Sequence, residues 1–153
     1  MIHYSEISPT FAKILTQSGW SSNRKVDVAE WVSSLKDEGF EPNAVTIAIL
    51  ESVGGLSILI PPYGINPYHH ELRFDPMIAA SGEFDKAADW QNQLGIRLFP
   101  IGEEIRTGNI LWVGNDRRFY FGRDFGLCVL GDSFGEAMDR LAFPNSPLSI
   151  HLE

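Results

Sequence analysis

Apolar residues recur at helical spacing through the first third of the chain. Phe11, Ile14 and Leu15 form one stripe, with Ser8 placed to cap and Pro9 suited to the first helical position; Gly19 ends the element. Val28, Trp31, Val32 and Leu35 follow at i, i+3, i+4 and i+7, with Asp27 as the expected cap and Gly39 as the stop. A third helix is predicted from near Pro42 to Val53. Its Val45, Ile47, Ala48, Ile49 and Leu50 are apolar almost all round, which predicts the most buried helix of the three. Gly54-Gly55 closes it.

The period then changes to two. Leu56–Ile60 is a short apolar run, and Tyr68, His70, Leu72 and Phe74 alternate with His69, Glu71 and Arg73 as in a half-buried strand. Helical spacing returns over Glu83–Leu94. Ile96–Ile101 reads as a strand that Pro100 ends or confines to an edge. Ile110–Val113 and Arg118–Phe121 read as a hairpin turning through Gly114-Asn115-Asp116, residues that tolerate positive φ. Leu127–Leu130 is a further buried strand. Phe134, Ala137, Met138, Leu141 and Ala142 mark a last helix. Helices first and a strand meander afterwards argue an α+β fold, not a doubly wound sheet. Pro61-Pro62-Tyr63-Gly64 and Pro144–Pro147 read as loops, and the closing Leu152-Glu153 as a loose tail or a cloning remnant.

The length of 153 residues fits one domain over residues 1–153. With 44% hydrophobic and 21% charged residues, disorder is disfavoured. No apolar run is long enough for a membrane span, and the first residues lack the pattern of a signal peptide. The single cysteine, Cys128, has no internal partner, which fits a reducing cytoplasm. Net charge is −8 and unevenly spread: residues 1–26 carry +2, residues 27–104 carry −9, and residues 105–153 carry −1. Such a field repels a phosphate backbone and attracts a basic protein. Solubility alone also accounts for it.

Candidate chemistry is sparse. Gly131-Asp132-Ser133-Phe134-Gly135 matches the G-x-S-x-G nucleophile elbow between a strand and a helix. The only histidine after it is His151, and Ser133 stands three residues before Glu136, so a capping box is the better reading. On a strand His69 and His70 point to opposite faces and cannot chelate together, while His69 and Glu71 fall short of three zinc ligands. Cys128 lies in an apolar strand with no neighbour that would depress its pKa. Gly54-Gly55 lacks the rest of a phosphate loop. The paired acids Glu103-Glu104 read as a solvated face. No catalytic set, metal site or cofactor site is therefore expected. Among the tryptophans, Trp31 sits on a core stripe and Trp112 alternates within a strand. Trp20 and Trp90 lie off the main stripes, where they either pack over the core edge or anchor an interface.

An ordered set of short motifs resembles the SUKH-3 group of the SUKH superfamily, related to the Smi1/Knr4 domain. They are Gly19-Trp20 followed by Arg24, Gly39, Val53-Gly54-Gly55-Leu56, Leu94-Gly95, Pro100-Ile101-Gly102, the hairpin from Trp112 to Tyr120, and Leu130-Gly131 leading to Ala137 and Leu141. The hairpin departs from the pattern: Asn115-Asp116-Arg117-Arg118 stands where an Asp-x-x-Gly-type turn is expected. The resemblance implies a central, mainly antiparallel sheet flanked by helices. It also implies an immunity protein that binds and neutralises a cognate bacterial toxin, such as a nuclease with a basic cleft. The acidic middle of the chain suits that partner. Expected contacts are Glu83, Asp85, Asp89, Glu103 and Glu104 for charge, with Trp20, Arg24 and Trp90 beside them. A Smi1/Knr4-like adaptor is the alternative, and a serine hydrolase using Ser133 the least favoured reading.

Overall fold

Strand β1 (Ser57–Ile60) opens a sheet whose order in space is its order in sequence, β1 to β7, every neighbouring pair antiparallel. The other strands are β2 (His70–Arg73), β3 (Leu98–Glu104), β4 (Ile110–Gly114), β5 (Phe119–Arg123), β6 (Gly126–Gly131) and the two-residue β7 (His151–Leu152). Helices α1 (Pro9–Gln17), α2 (Ala29–Glu38) and α3 (Ala44–Val53) precede it. Helices α4 (Pro76–Ala80) and α5 (Phe84–Leu94) interrupt it after β2, and α6 (Phe134–Ala142) follows β6. The computed structural model describes residues 2, 4–64, 67–124, 126–143 and 151–152. The loop expected at 144–147 lies outside them.

Local chemistry sets the helix starts. Ser8 accepts the Phe11 N–H at 3.2 Å, as its position predicts. Helix α2 differs from the expectation. Val28 occupies the N-cap position without a side-chain bond, and Asp27, one residue earlier, accepts the Ala29 N–H at 2.9 Å. Helix α3 starts at Ala44, near Pro42 as expected, and Asn43 caps it by accepting the Thr46 N–H at 2.9 Å. The five-residue α4 was not expected. Asp75 caps it by accepting from Met77 and Ile78, with Pro76 at its first position. Helix α5 starts at Phe84, one residue later than its pattern suggests.

Pro100 also departs from expectation, for it lies inside β3, between β2 and β4. Strand β2 pairs only with Glu103 and Glu104, so Pro100 sits beyond its reach, beside a bulge between Pro100 and Gly102. Gly102 is required there: a Cβ would come within 2.3 Å of the Arg73 carbonyl oxygen. In the β4–β5 turn the positive φ falls on Arg117 (69°), not on Asn115 or Asp116. Those two residues serve as hydrogen-bond acceptors instead. Asn115 takes the Arg97 N–H and Asp116 the Arg118 N–H.

The core is aromatic. Phe40 makes edge contacts with Phe84 and Phe99 and a tilted contact with Trp112, and Trp112 meets Trp90 edge-on at 6.1 Å. Phe134 of α6 lies between Phe74 and Phe119. Helix α3 is the most buried of the first three helices, as its composition predicts. Thr46, Ile49, Leu50, Ser52 and Val53 are buried, whereas Val45, Ile47 and Ala48 are only half-buried.

Candidate protein-binding surface

Two of the expected contact residues form an internal brace. Trp20 is 2% exposed, and its indole N–H donates to Ser52 Oγ at 2.9 Å. Arg24 donates from Nη1 to the Ser52 carbonyl and from Nη2 to the Gly54 carbonyl, both at 2.8 Å. These are carbonyls at the end of α3, where backbone acceptors lack partners and the helix dipole favours a cation. Burial lowers the pKa of the Arg24 guanidinium from its ordinary value. Gly54 has no room for a side chain, since a Cβ would lie 2.3 Å from the Leu50 carbonyl oxygen and 2.7 Å from the Trp31 ring. The Gly19-Trp20, Arg24 and Val53-Gly54-Gly55 motifs thus meet at one junction that fixes the end of α3 and the entry into β1. With both groups committed inward, Trp20 offers no ring to a partner and Arg24 is held by the fold.

Helix α5 divides in the same way. Trp90 is fully buried against Trp112, with the Lys86 ammonium 5.3 Å from its ring centroid, so it is core rather than a surface anchor. Asp85 and Asp89 are exposed, and their i, i+4 spacing places them on one side of the helix. Among the described residues neither forms a salt bridge. The other expected acids are engaged. Glu83 accepts from Arg123 Nη2 at 2.9 Å, and this bond is the main reason the Arg123 pKa is raised. Glu103 lies 3.9 Å from Arg73 across the β2–β3 pair. Glu104, expected on a solvated face, is only 2% exposed. It accepts from the Arg106 and Thr107 N–H groups and the Thr107 hydroxyl, with His70 Nδ1 at 3.5 Å, and so shapes the β3–β4 turn.

The end of α2 docks beside α5. Glu38 accepts the Gly82 N–H at 2.8 Å, Phe40 packs edge-on to Phe84, and Glu41 reaches Arg97 at 3.7 Å. Asp37 and Glu41, next to these contacts in the chain, are exposed.

Ser133 caps α6. Its Oγ accepts the Glu136 N–H at 3.1 Å, and Glu136 reaches back to the Asp132 N–H at 3.3 Å. The hydroxyl is thus occupied in helix initiation. His69 is exposed and His70 half-buried beside Glu104. Burial raises the Cys128 pKa, which keeps the thiol protonated. No group of residues among those described is arranged to hold a metal ion, and no described helix is long and apolar enough to cross a membrane.

One surface escaped the sequence reading. Leu59, Tyr63 and Tyr68 are 57%, 42% and 53% exposed, all on or beside the β1–β2 hairpin, and the Arg106 guanidinium stacks 3.7 Å above the Tyr68 ring. Alternation assigns Tyr68 to the buried side, but the strand begins only at His70. The Pro61-Pro62-Tyr63 loop was the available signal.

Comparison with known proteins places this geometry. No curated protein and no solved structure matches the chain. The family model described as SUKH-3 immunity protein matches residues 7–143, a span running from the residue before the Ser8 cap to the end of α6. The α+β architecture with its antiparallel sheet is the one the resemblance implied, and the chain belongs to the SUKH-3 immunity protein family.

Proposed function

We propose that this protein neutralises a cognate toxin domain by binding it and covering its active site or an adjacent exosite, in the cytoplasm and without turnover. The observation that carries this reading is the SUKH-3 immunity match across residues 7–143. The partner is a basic protein, such as a nuclease with a cationic cleft, and the α5 flank is the face that steers it. Asp85 and Asp89 contribute most to that field because they are exposed and outside any described ion pair. Glu83 and Glu103 contribute less, since Arg123 and Arg73 balance them. Glu104 lies too deep to act at a rim. Trp20 and Trp90 support binding only by holding the scaffold.

Co-expression with the adjacent toxin gene is the test of the reading. Cells that die as fast with the protein as without it refute it. The steering face has its own measurement. Exposed charges act mainly on association, and screening beyond about 8 Å at physiological ionic strength makes their effect salt-dependent. Asp85→Lys combined with Asp89→Lys is expected to slow association at least about tenfold at low salt, with little change in dissociation. An unchanged association rate removes α5 from the interface.

A further inference from the structure

Among the described residues the sheet has an open edge at β1. This strand ends the strand order and pairs with β2 alone. The Phe74 N–H donates to the Leu56 carbonyl at 2.9 Å, so Leu56 and Phe74 form a hydrogen-bonded pair. Alternation along an antiparallel ladder makes Ile58–Leu72 and Ile60–His70 the next such pairs. The backbone N–H and C=O groups of Ser57 and Leu59 therefore point away from β2. No described residue takes them up, and both residues are exposed. Sheet edges are ordinarily blunted by charge, by proline or by brevity. Pro61-Pro62 stops β1 after 4 residues, but no charge guards it. The chain from Ser52 to Tyr68 holds no charged side chain, within a protein of net charge −8.

Such an edge calls for an extended backbone laid beside it, and this one fits its own copy. Turned about a two-fold axis through Ile58, two β1 strands run antiparallel, with Ser57 of one copy opposite Leu59 of the other. That register uses every outward N–H and C=O of both copies. The neighbouring registers fail. Centring on Leu59 sets Ser57 against Pro61, which has no N–H to give. Centring on Ser57 sets Leu59 against Gly55, whose N–H already donates to the Phe74 carbonyl at 2.8 Å. In the surviving register the small Ser57 side chain lies opposite the Leu59 side chain, 57% exposed in the single chain, and leaves room for it. A basic partner finds no acid on this stretch to select, whereas two uncharged strands meet without opposing like charges.

We propose that β1 is a self-association edge, through which two copies of the chain join their sheets in the register centred on Ile58. A strand of 4 residues makes a small contact, so the pairing is weak and depends on concentration. The strands are uncharged while each whole copy carries −8, so salt strengthens the pairing by screening the repulsion between copies. This is the opposite of its effect on steering at α5. The proposal stands apart from the toxin-binding reading.

The test is sedimentation of the full chain as its concentration rises from about 10 μM to about 1 mM, the range in which weak pairing shows. The unmutated protein is expected to shift from monomer to dimer, and to shift further at higher salt. Leu59→Pro is expected to stay monomeric and folded, because the N–H it removes points away from β2 and edge strands accept proline there. Leu59→Lys, which places a charge on the edge, is expected to do the same. Amide exchange of the unmutated protein gives a readout free of any variant. Ser57 and Leu59 are expected to exchange fast when dilute and to slow in proportion to the dimer fraction, while Ile58 and Ile60 stay slow throughout. A protein that remains monomeric at the top of that range, a dimer that both variants retain, or one that forms without slowing Ser57 and Leu59 overturns the proposal. So does a dimer that salt disperses. Toxin that protects Ser57 and Leu59 gives the edge to the toxin and overturns the proposed occupant.

Discussion

Replacing Arg24 separates a scaffold residue from a contact residue. Its guanidinium donates two bonds of 2.8 Å to the carbonyls of Ser52 and Gly54 at the end of α3. A hydrogen bond from a charged group contributes about 1.5–3 kcal/mol when well enclosed. Arg24 is only half-buried, so water replaces part of each bond when the side chain is removed. The two together then come to about 2 kcal/mol rather than twice the enclosed value. For a chain of this size that corresponds to a melting point lower by about 4–8 °C. Arg24→Ala, followed by urea denaturation at constant slope, is expected to show this loss. Arg24→Lys keeps the charge near the helix end but reaches one carbonyl rather than two, so it should recover about half. Toxin affinity, measured where both variants are folded, should stay within about threefold of wild type. A loss below about 0.5 kcal/mol, or an affinity that collapses while stability holds, would refute the assignment of Arg24 to the brace.

Ser133→Ala should cost about 1 kcal/mol in chemical denaturation through the lost α6 cap. The wild type and the variant should show the same background ester hydrolysis; activity that disappears only in the variant would make Ser133 a nucleophile. Burial, and next the 2.6 Å hydrogen bond to Asp116, push the Tyr120 phenol above its ordinary pKa of 10.0. Because the folded value is the higher one, this stabilisation is fully present below pH 10.0 and is lost as pH rises toward the folded value. Tyr120→Phe should therefore flatten the fall in melting temperature above that pH, and an identical alkaline profile for the two proteins would count against it.

Where local chemistry decides the structure, the residues announced it. Ser8-Pro9 and Ser133-x-x-Glu136 start helices through their own side chains, and Gly39 and Gly95 stop them in left-handed conformations. The strands from β3 to β6 follow runs of apolar residues long enough to outweigh local exceptions. The misreadings arise where tertiary neighbours decide. Pro100 is tolerated because β2 ends before reaching it, which no window around residue 100 contains. Glu104 is buried because its own turn supplies three donors from Arg106 and Thr107. Trp20 turns inward because Ser52, far along the chain, offers an acceptor. For the candidate surface, only the Asp85–Asp89 pair was both predicted and found exposed, since an i, i+4 spacing is purely local geometry.

The sequential order of the sheet has a consequence for synthesis. Residues 98–131, which hold β3 to β6, can zip together as successive hairpins without waiting for distant chain. The first helices have no such independence. The Ser8 hydroxyl that caps α1 donates to Asp139 of α6 at 2.7 Å, across 131 positions. On the ribosome α1 therefore emerges long before α6, and its apolar stripe must wait. Phe134 of α6 likewise meets Phe74 and Phe119 only after the sheet has formed. A chain that stops short of α6 thus leaves the Ser8 cap without its Asp139 acceptor, and α1 without its last neighbour.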